Sequence, residues 1–174
     1  MTKQAQRLRK IIVPLDFSSS SESTIDYASM ISEKFGATLI LVHVIESLPY
    51  SVTETFQVVE HRRALKTLAN SLLRNLSDDL RARNLSVKTH LVWGNPSREI
   101  LKKARREQAD LIVMGTHGRS GLPHMFMGSV AEKTVRRSGI PVLTVPLAFE
   151  PRRRRFRIPK RIAIRRVTKT HTRT

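Results

Sequence analysis

The chain has 174 residues, with 32 Lys and Arg against 14 Asp and Glu, a formal charge of +18, and no cysteine. A chain of this length suits one domain that buries about 68–70% of its unfolded surface without staples, and the missing cysteine excludes disulfides, thiolate catalysis and Cys-type zinc sites. Charge is uneven: residues 151–174 hold 11 of the Lys and Arg residues and no acid, whereas residues 1–150 hold 21 cations against 14 acids. The expected division is a folded domain over 1–150 and a basic tail over 151–174.

The first apolar run, Ile11 to Leu15, is only five residues long and stops at Asp16. It is too short for a secretory core or a spanning helix, so a cytoplasmic location is expected. The run reads as a first strand buried on both faces, with Pro14 near its end because proline lacks a ladder N–H. Asp16 follows at the tip. A helix opens within Ser18 to Glu22, where Ser19 and Glu22 fit a capping box, and Ile25, Ala28, Ile31 and Phe35 fall on one helical face. Gly36 ends it. Thr38 to Val44 reads as a nearly continuous apolar second strand, in which His43 is expected to be a hydrogen-bonded core histidine. Glu46 to Thr55 is an aperiodic loop. From Phe56 the spacing Val59, Ala64, Leu65, Leu68, Leu72, Leu76, Leu80 predicts a long amphipathic helix. Ser86 to Val92 alternates and predicts a more exposed edge strand. Asn95 and Pro96 supply an N-cap and a first-turn proline for a third helix that buries Ile100, Leu101 and Ala104.

Leu111 to Met114 reads as a fourth buried strand. A fourth helix starts at Gly128-Ser129, carries Val130, Ala131, Thr134 and Val135 on its apolar face, and runs to Arg137. Ile140 to Pro146 is the fifth strand. The order βαβαβαβαβ predicts an α/β fold, a five-stranded parallel sheet with helices on both faces in a Rossmann-like sandwich. Ligands of such sheets bind beyond the strands' carboxyl ends where strand order reverses. A reversal between strands one and four would turn Asp16 and the Gly115 loop toward one crevice.

The loop after strand four begins Gly115-Thr116-His117-Gly118 and returns nine residues later at Gly128-Ser129. Residues without Cβ bulk let a backbone approach an anion closely, and a helix start offers unpaired N–H groups. Neither GxxxxGK[ST] nor GxGxxG follows the first strand, which argues against P-loop NTPases and dinucleotide dehydrogenases. His117 and His124 share the loop without a carboxylate at ligand spacing, so no metal site is expected. No general base is paired with a nucleophile in these motifs, and Ser129 has no His partner there. Binding or regulation is therefore expected ahead of efficient catalysis.

Asp16 after strand one, His43-Val44 near the end of strand two, Gly94-Asn95-Pro96 before helix three, and Gly115-x2-Gly118-x9-Gly128-Ser129 together resemble the universal stress protein family over roughly residues 8–147. The last motif is similar to that family's ATP-binding signature. The resemblance implies an adenine-nucleotide α-hydrolase-like sandwich over 1–150, ATP as ligand with or without Mg2+, a homodimer, and a nucleotide-dependent regulator in the stress response. It implies that Pro14, Asp16 and Val44 surround adenine and ribose, Asp16 taking a ribose hydroxyl and Val44 pairing with the base through its backbone. Met114 and Gly115 would line the ribose. His117, Gly118, Arg119, Gly128, Ser129 and Val130 would hold the phosphates, mostly by N–H groups. Pro123 to Met127 stands where relatives often carry a basic residue, leaving Arg119 as the loop's full charge.

Two alternatives come from the residues themselves. The tail's eleven cations suit nucleic acid or another polyanion, which would make the body a dimerising platform; slow ATP hydrolysis is the other. The dimer is expected along strand five, because Val142, Leu143, Thr144 and Val145 would otherwise leave an apolar edge bare.

Overall fold

Apolar runs form strands and 3.6-residue patterns form helices in the order β1 (Lys10–Leu15), α1 (Ser19–Phe35), β2 (Thr38–Ile45), α2 (Phe56–Ala82), β3 (Val87–Trp93), α3 (Pro96–Arg106), β4 (Leu111–Gly115), α4 (Ser129–Arg137) and β5 (Val142–Val145). This computed structural model describes residues 8–46, 56–116 and 127–146. The strands make one parallel sheet in the order β3-β2-β1-β4-β5. The chain winds outward from β1 to β3, then α3 carries it back across β2 and β1 to begin β4 on the other side. Strand order therefore reverses between β1 and β4.

Side-chain parity explains why the runs are continuous. Odd-numbered Ile11, Val13, Leu15, Leu39 and Leu41 pack with Ile25 and Ala28 of α1 and Leu73, Leu76 and Leu80 of α2. Even-numbered Ile12, Ile40, Val42, Ile112 and Met114 pack with Ile100, Leu101 and Ala104 of α3 and Ala131 of α4. Each strand thus needs apolar residues on both faces, as parallel sheets do. Two polar anchors fix the strands' entry ends. Asp110 Oδ2 accepts the N–H groups of Arg9 and Lys10 at 2.8 and 2.9 Å, and Lys10 Nζ donates to Glu107 O at 2.7 Å.

The helices depart from the sequence pattern where polar residues bury well or sheet runs out. The N-cap of α1 is Ser18, whose hydroxyl donates to Asp16 Oδ1 and accepts no helix N–H, so the helix opens one residue ahead of the expected Ser19–Glu22 capping box. Phe35 is 53% exposed; the buried strip of α1 uses Thr24, Ser29 and Ser32 beside Ile25 and Ala28. Thr24 and Ser32 bury by donating to Ser20 O and Ala37 O. In α2 burial begins near Ala69, while Val59 and Ala64 are exposed. A 27-residue helix is about 40 Å long and the seven residues of β3 about 23 Å, so the first turns of α2 overhang the sheet. In α4 Thr134 is buried with its hydroxyl donating to Val130 O at 2.7 Å, and Val135 turns outward.

The helix punctuation follows the sequence closely. Asn95 caps α3 by accepting from Arg98 N, with Pro96 in the first turn. Gly36 at φ 64° and Gly94 at φ 142° occupy left-handed backbone, and a Cβ on Gly94 would stand 3.0 Å from Glu99 Cγ. β3 is an edge strand in which only Val87 is fully buried, and β5 is the other edge. Among the described residues no helix is long and apolar enough to cross a membrane.

Candidate functional site

The sheet register sets which residues share a level at the carboxyl crest. Leu15 pairs with His43 and Gly115 with Val145, and the β1–β4 pairing joins Ile11 to Leu111 and Ile12 to Ile112, a register that, counted forward, matches Leu15 with Gly115. One residue further, the same count brings Asp16, Val44 and Thr116 to one level, where strand order reverses between β1 and β4.

Asp16 is held by its own turn. Its Oδ1 accepts from Ser18 N at 3.0 Å, Ser18 Oγ at 2.6 Å and Ser21 Oγ at 2.8 Å, an Asx-turn reinforced by two hydroxyls. The next residue, Phe17, sits at φ 59°, a conformation that costs a side-chain-bearing residue about 1–2 kcal/mol. Its ring packs on His43, centroids 4.6 Å apart. His43 is 5% exposed, with Nδ1 2.7 Å from Leu15 O; it is the satisfied core histidine expected of it. The strained turn and the His43 contacts thus anchor the β1 tip on the side that carries Asp16.

Val44 offers backbone rather than side chain. Ile45 O accepts Gly94 N–H on the β3 side, and alternation along a parallel strand turns the backbone groups of Val44 toward β1, whose ladder with β2 ends at Leu15–His43. Its side chain packs into the α3–α4 face with Met114, Val130 and Met127. Met114 is only 4% exposed, so its backbone and that of Gly115 are what reach the crest. Pro14 is half-buried on β1 and pairs with Val42.

The two ends of the glycine loop are fastened together. Thr116 N–H donates to Val145 O at 3.0 Å, and Thr116 O accepts Gly128 N–H at 2.7 Å. Gly128 is the N-cap of α4 at φ −68°, ψ 151°, with no side-chain cap. The first intrahelical bond runs from Glu132 N–H to Gly128 O, which leaves the N–H groups of Ser129, Val130 and Ala131 without intrahelical partners. They form an uncapped, positively polarised helix end beside Thr116. With its own N–H taken by Thr116, Gly128 contributes space rather than a donor. His117, Gly118, Arg119 and His124 lie outside the described residues, as does the 151–174 tail. Among the described residues no group of three or more His, Asp or Glu could hold a metal.

A model of the universal stress protein family matches residues 7–146. The chain belongs to this family. Universal stress protein MJ0577 of Methanocaldococcus jannaschii is 29% identical over 152 residues, covering 79% of this chain and 94% of that protein. Universal stress protein YxiE of Bacillus subtilis is 31% identical over 144 residues, covering 78% and 97%. The solved structure of MJ0577 aligns with TM-score 0.73 at 32% identity, over 80% of this chain and 96% of that one. A universal stress protein solved in complex with cAMP shares the fold with TM-score 0.62 at 24% identity, over 82% and 99% of the two chains. One from Archaeoglobus fulgidus in complex with dAMP shares it with TM-score 0.56 at 21% identity, over 79% and 98%.

Sequence reasoning missed three parts of this universal stress protein's crest: the Phe17 turn, the Ser18 and Ser21 hydroxyls that orient Asp16, and the Thr116 clamp. The spacing Asp16-x-Ser18 is a legible Asx-turn signal. Nothing in the sequence marks Thr116, because its role is carried by backbone groups.

Proposed function

We propose that this universal stress protein binds ATP, with or without Mg2+, across the crest between β1 and β4, and acts as a nucleotide-dependent regulator in the stress response. The observation that carries the reading is the Thr116 O to Gly128 N–H clamp at 2.7 Å, which holds the uncapped start of α4 beside the tip of β4 and level with Asp16 and Val44. Phosphates then meet the N–H groups of Ser129 and Val130 and the loop residues His117, Gly118 and Arg119. Ribose meets Asp16 and the backbone of Met114 and Gly115, and adenine lies by Pro14 against the backbone of Val44. Mg2+ would be held through the phosphates. The same fold carries cAMP and dAMP in two other family members, which supports an adenine-nucleotide ligand here. Protein purified without added nucleotide and then heat-denatured should release an adenine nucleotide identifiable by mass. Release of none, together with no calorimetric heat on adding ATP to the native protein, ends the reading.

Turnover is expected far below the 1–10³ s⁻¹ typical of enzymes, since the crest residues named here bind phosphate without pairing a base to a nucleophile. In this reading two copies pair along β5 through Val142, Leu143, Thr144 and Val145, in the cytoplasm. Residues 151–174 form a separate basic arm for a polyanion, nucleic acid first. Its support is compositional: eleven cations, no acid, and Phe156 as the one aromatic ring.

A further inference from the structure

Helices α3 and α4 lie side by side over Ile12, Ile40 and Met114, and between them runs a cleft of about 470 Å³. Five cations line it: Arg98, Lys102, Arg105, Arg106 and Arg137. Among the described residues only Lys102 of these has a carboxylate in ion-pair range, Glu99 at 3.8 Å. Four guanidiniums therefore face one open groove without an acid among the described residues to offset them.

Helix electrostatics does not account for this array. Arg105 and Arg106 close α3 and Arg137 closes α4, and cations at helix carboxyl ends are favourable on dipole grounds alone. Arg98 lies in the first turn of α3, where the dipole opposes a cation, and Lys102 lies in mid-helix. The positions 98, 102, 105 and 106 recur at i, i+4, i+7 and i+8, which sets them on one face over about 12 Å of helix. A lone small anion would call for cations converging on one point. A stripe suits a repeating anion, and successive phosphates on one strand of a duplex advance about 3.4 Å along the axis.

The lining also discriminates among polyanions. Among the described residues it holds no aromatic ring, so these offer unpaired bases nothing to stack on. Its one apolar member, Leu101, is 9% exposed, so there is no apolar face to enter a lipid surface. We propose that the α3–α4 cleft docks the phosphate backbone of a nucleic-acid duplex without reading its sequence. Among the described residues that line the cleft, none belongs to the 115–129 motif or to the 151–174 tail, and the proposal stands apart from the nucleotide reading.

The test uses the full chain and a fluorescein-labelled DNA duplex of about 20 base pairs, with anisotropy titrations between 50 and 200 mM salt. The variant Arg98→Gln/Arg105→Gln/Arg106→Gln/Arg137→Gln is compared with wild type, the tail being common to both. If three phosphate contacts are lost, the log–log salt slope becomes shallower by about 2.7, so the rise in salt costs the wild type about 40-fold more affinity than the variant. The matching four-fold Arg→Lys variant should keep the wild-type slope. An unchanged slope in the Gln variant, or no duplex binding by wild type at 50 mM salt, overturns the proposal. So does an Arg→Lys variant that fails as the Gln variant does, because charge would then not be what is read. A deficit seen on phosphatidylserine vesicles but not on duplex would reassign the cleft to membranes.

Discussion

Replacing Asp16 separates the turn that its carboxylate holds at the tip of β1 from the ribose contact proposed for it. Its Oδ1 collects three donors within 3.0 Å, and a hydrogen bond to a charged group contributes about 1.5–3 kcal/mol when its loss leaves a partner unsatisfied. Ser18 and Ser21 can regain water in part, and the three bonds act as one unit, so Asp16→Ala should cost about 3 kcal/mol rather than their sum. For a protein of this size that lowers the melting midpoint by ~6–12 °C. Asp16→Asn keeps the Oδ1 acceptor and the turn, and exchanges charge-assisted bonds for neutral ones of about half the strength. Its cost should be about 1 kcal/mol, or ~2–4 °C. The nucleotide responds differently. A ribose hydroxyl that donates to a carboxylate loses that charged acceptor in both variants, which weakens binding by about 10-fold or more. Thermal melts paired with ATP calorimetry give the comparison: Ala loses stability and affinity, whereas Asn loses mainly affinity. Wild-type ATP affinity in the Asn variant would refute the ribose contact, and an unshifted melt in the Ala variant would refute the turn argument.

Gly128 sits at φ −68°, open to any residue, so Gly128→Val should fold normally while its Cβ and methyl groups block phosphate approach; calorimetry should show ATP binding abolished, and Gly118→Val should match it. Val142→Lys with Leu143→Glu should give monomers in ultracentrifugation where wild type at ~10 μM is dimeric, since a micromolar interface is mostly occupied there; a monomeric wild type refutes pairing along β5. His90 on β3 is pushed below the usual 6.5 by burial, then by Lys103 and Lys88, against the pull of Glu107. Glu107 Oε1 lies 3.1 Å from Nε2, close enough to pull the ring toward the protonated form, though not strongly enough to outweigh burial. Near and below pH 6.5 the unfolded chain is thus protonated at this residue while the folded one is not, so stability present above 6.5 falls as pH drops toward the folded value. His90→Gln should flatten that limb of a melt-versus-pH series. Ending the chain at Glu150 should remove the tail's share of salt-sensitive polyanion binding and leave ATP affinity unchanged.

The architecture was legible because a parallel sheet writes itself twice. Runs such as Ile11-Ile12-Val13, all 0% exposed, must be apolar at consecutive positions once helices cover both faces, and Gly36, Gly94 and Asn95-Pro96 mark helix ends through backbone constraints that few residues satisfy. What misled was apolarity at helical spacing without regard to reach. Val59, Phe35 and Val135 all fit a 3.6-residue pattern, yet each lies exposed, the first because α2 outruns the sheet. Threonine and serine took the inner positions on α1 and α4 by donating to carbonyls of their own helix or of the turn after it.

The crest was legible to the extent that its chemistry resides in side-chain absence. A glycine declares itself by type; a carbonyl aimed at the right place does not. Asp16, Gly115, Gly128 and Ser129 could be singled out from sequence, whereas the Thr116 carbonyl, the direction of the Val44 backbone and the left-handed Phe17 follow only from register and chain path. These hidden parts locate the visible ones. Thr116 is bonded to Val145 O on one side and to Gly128 N–H on the other, so the loop's two ends and the last strand are tied through one residue. The outer strand β5 is thus two backbone hydrogen bonds away from the start of α4. The clamp therefore gives the crest between β1 and β4 and the strand β5 a shared backbone element, Thr116.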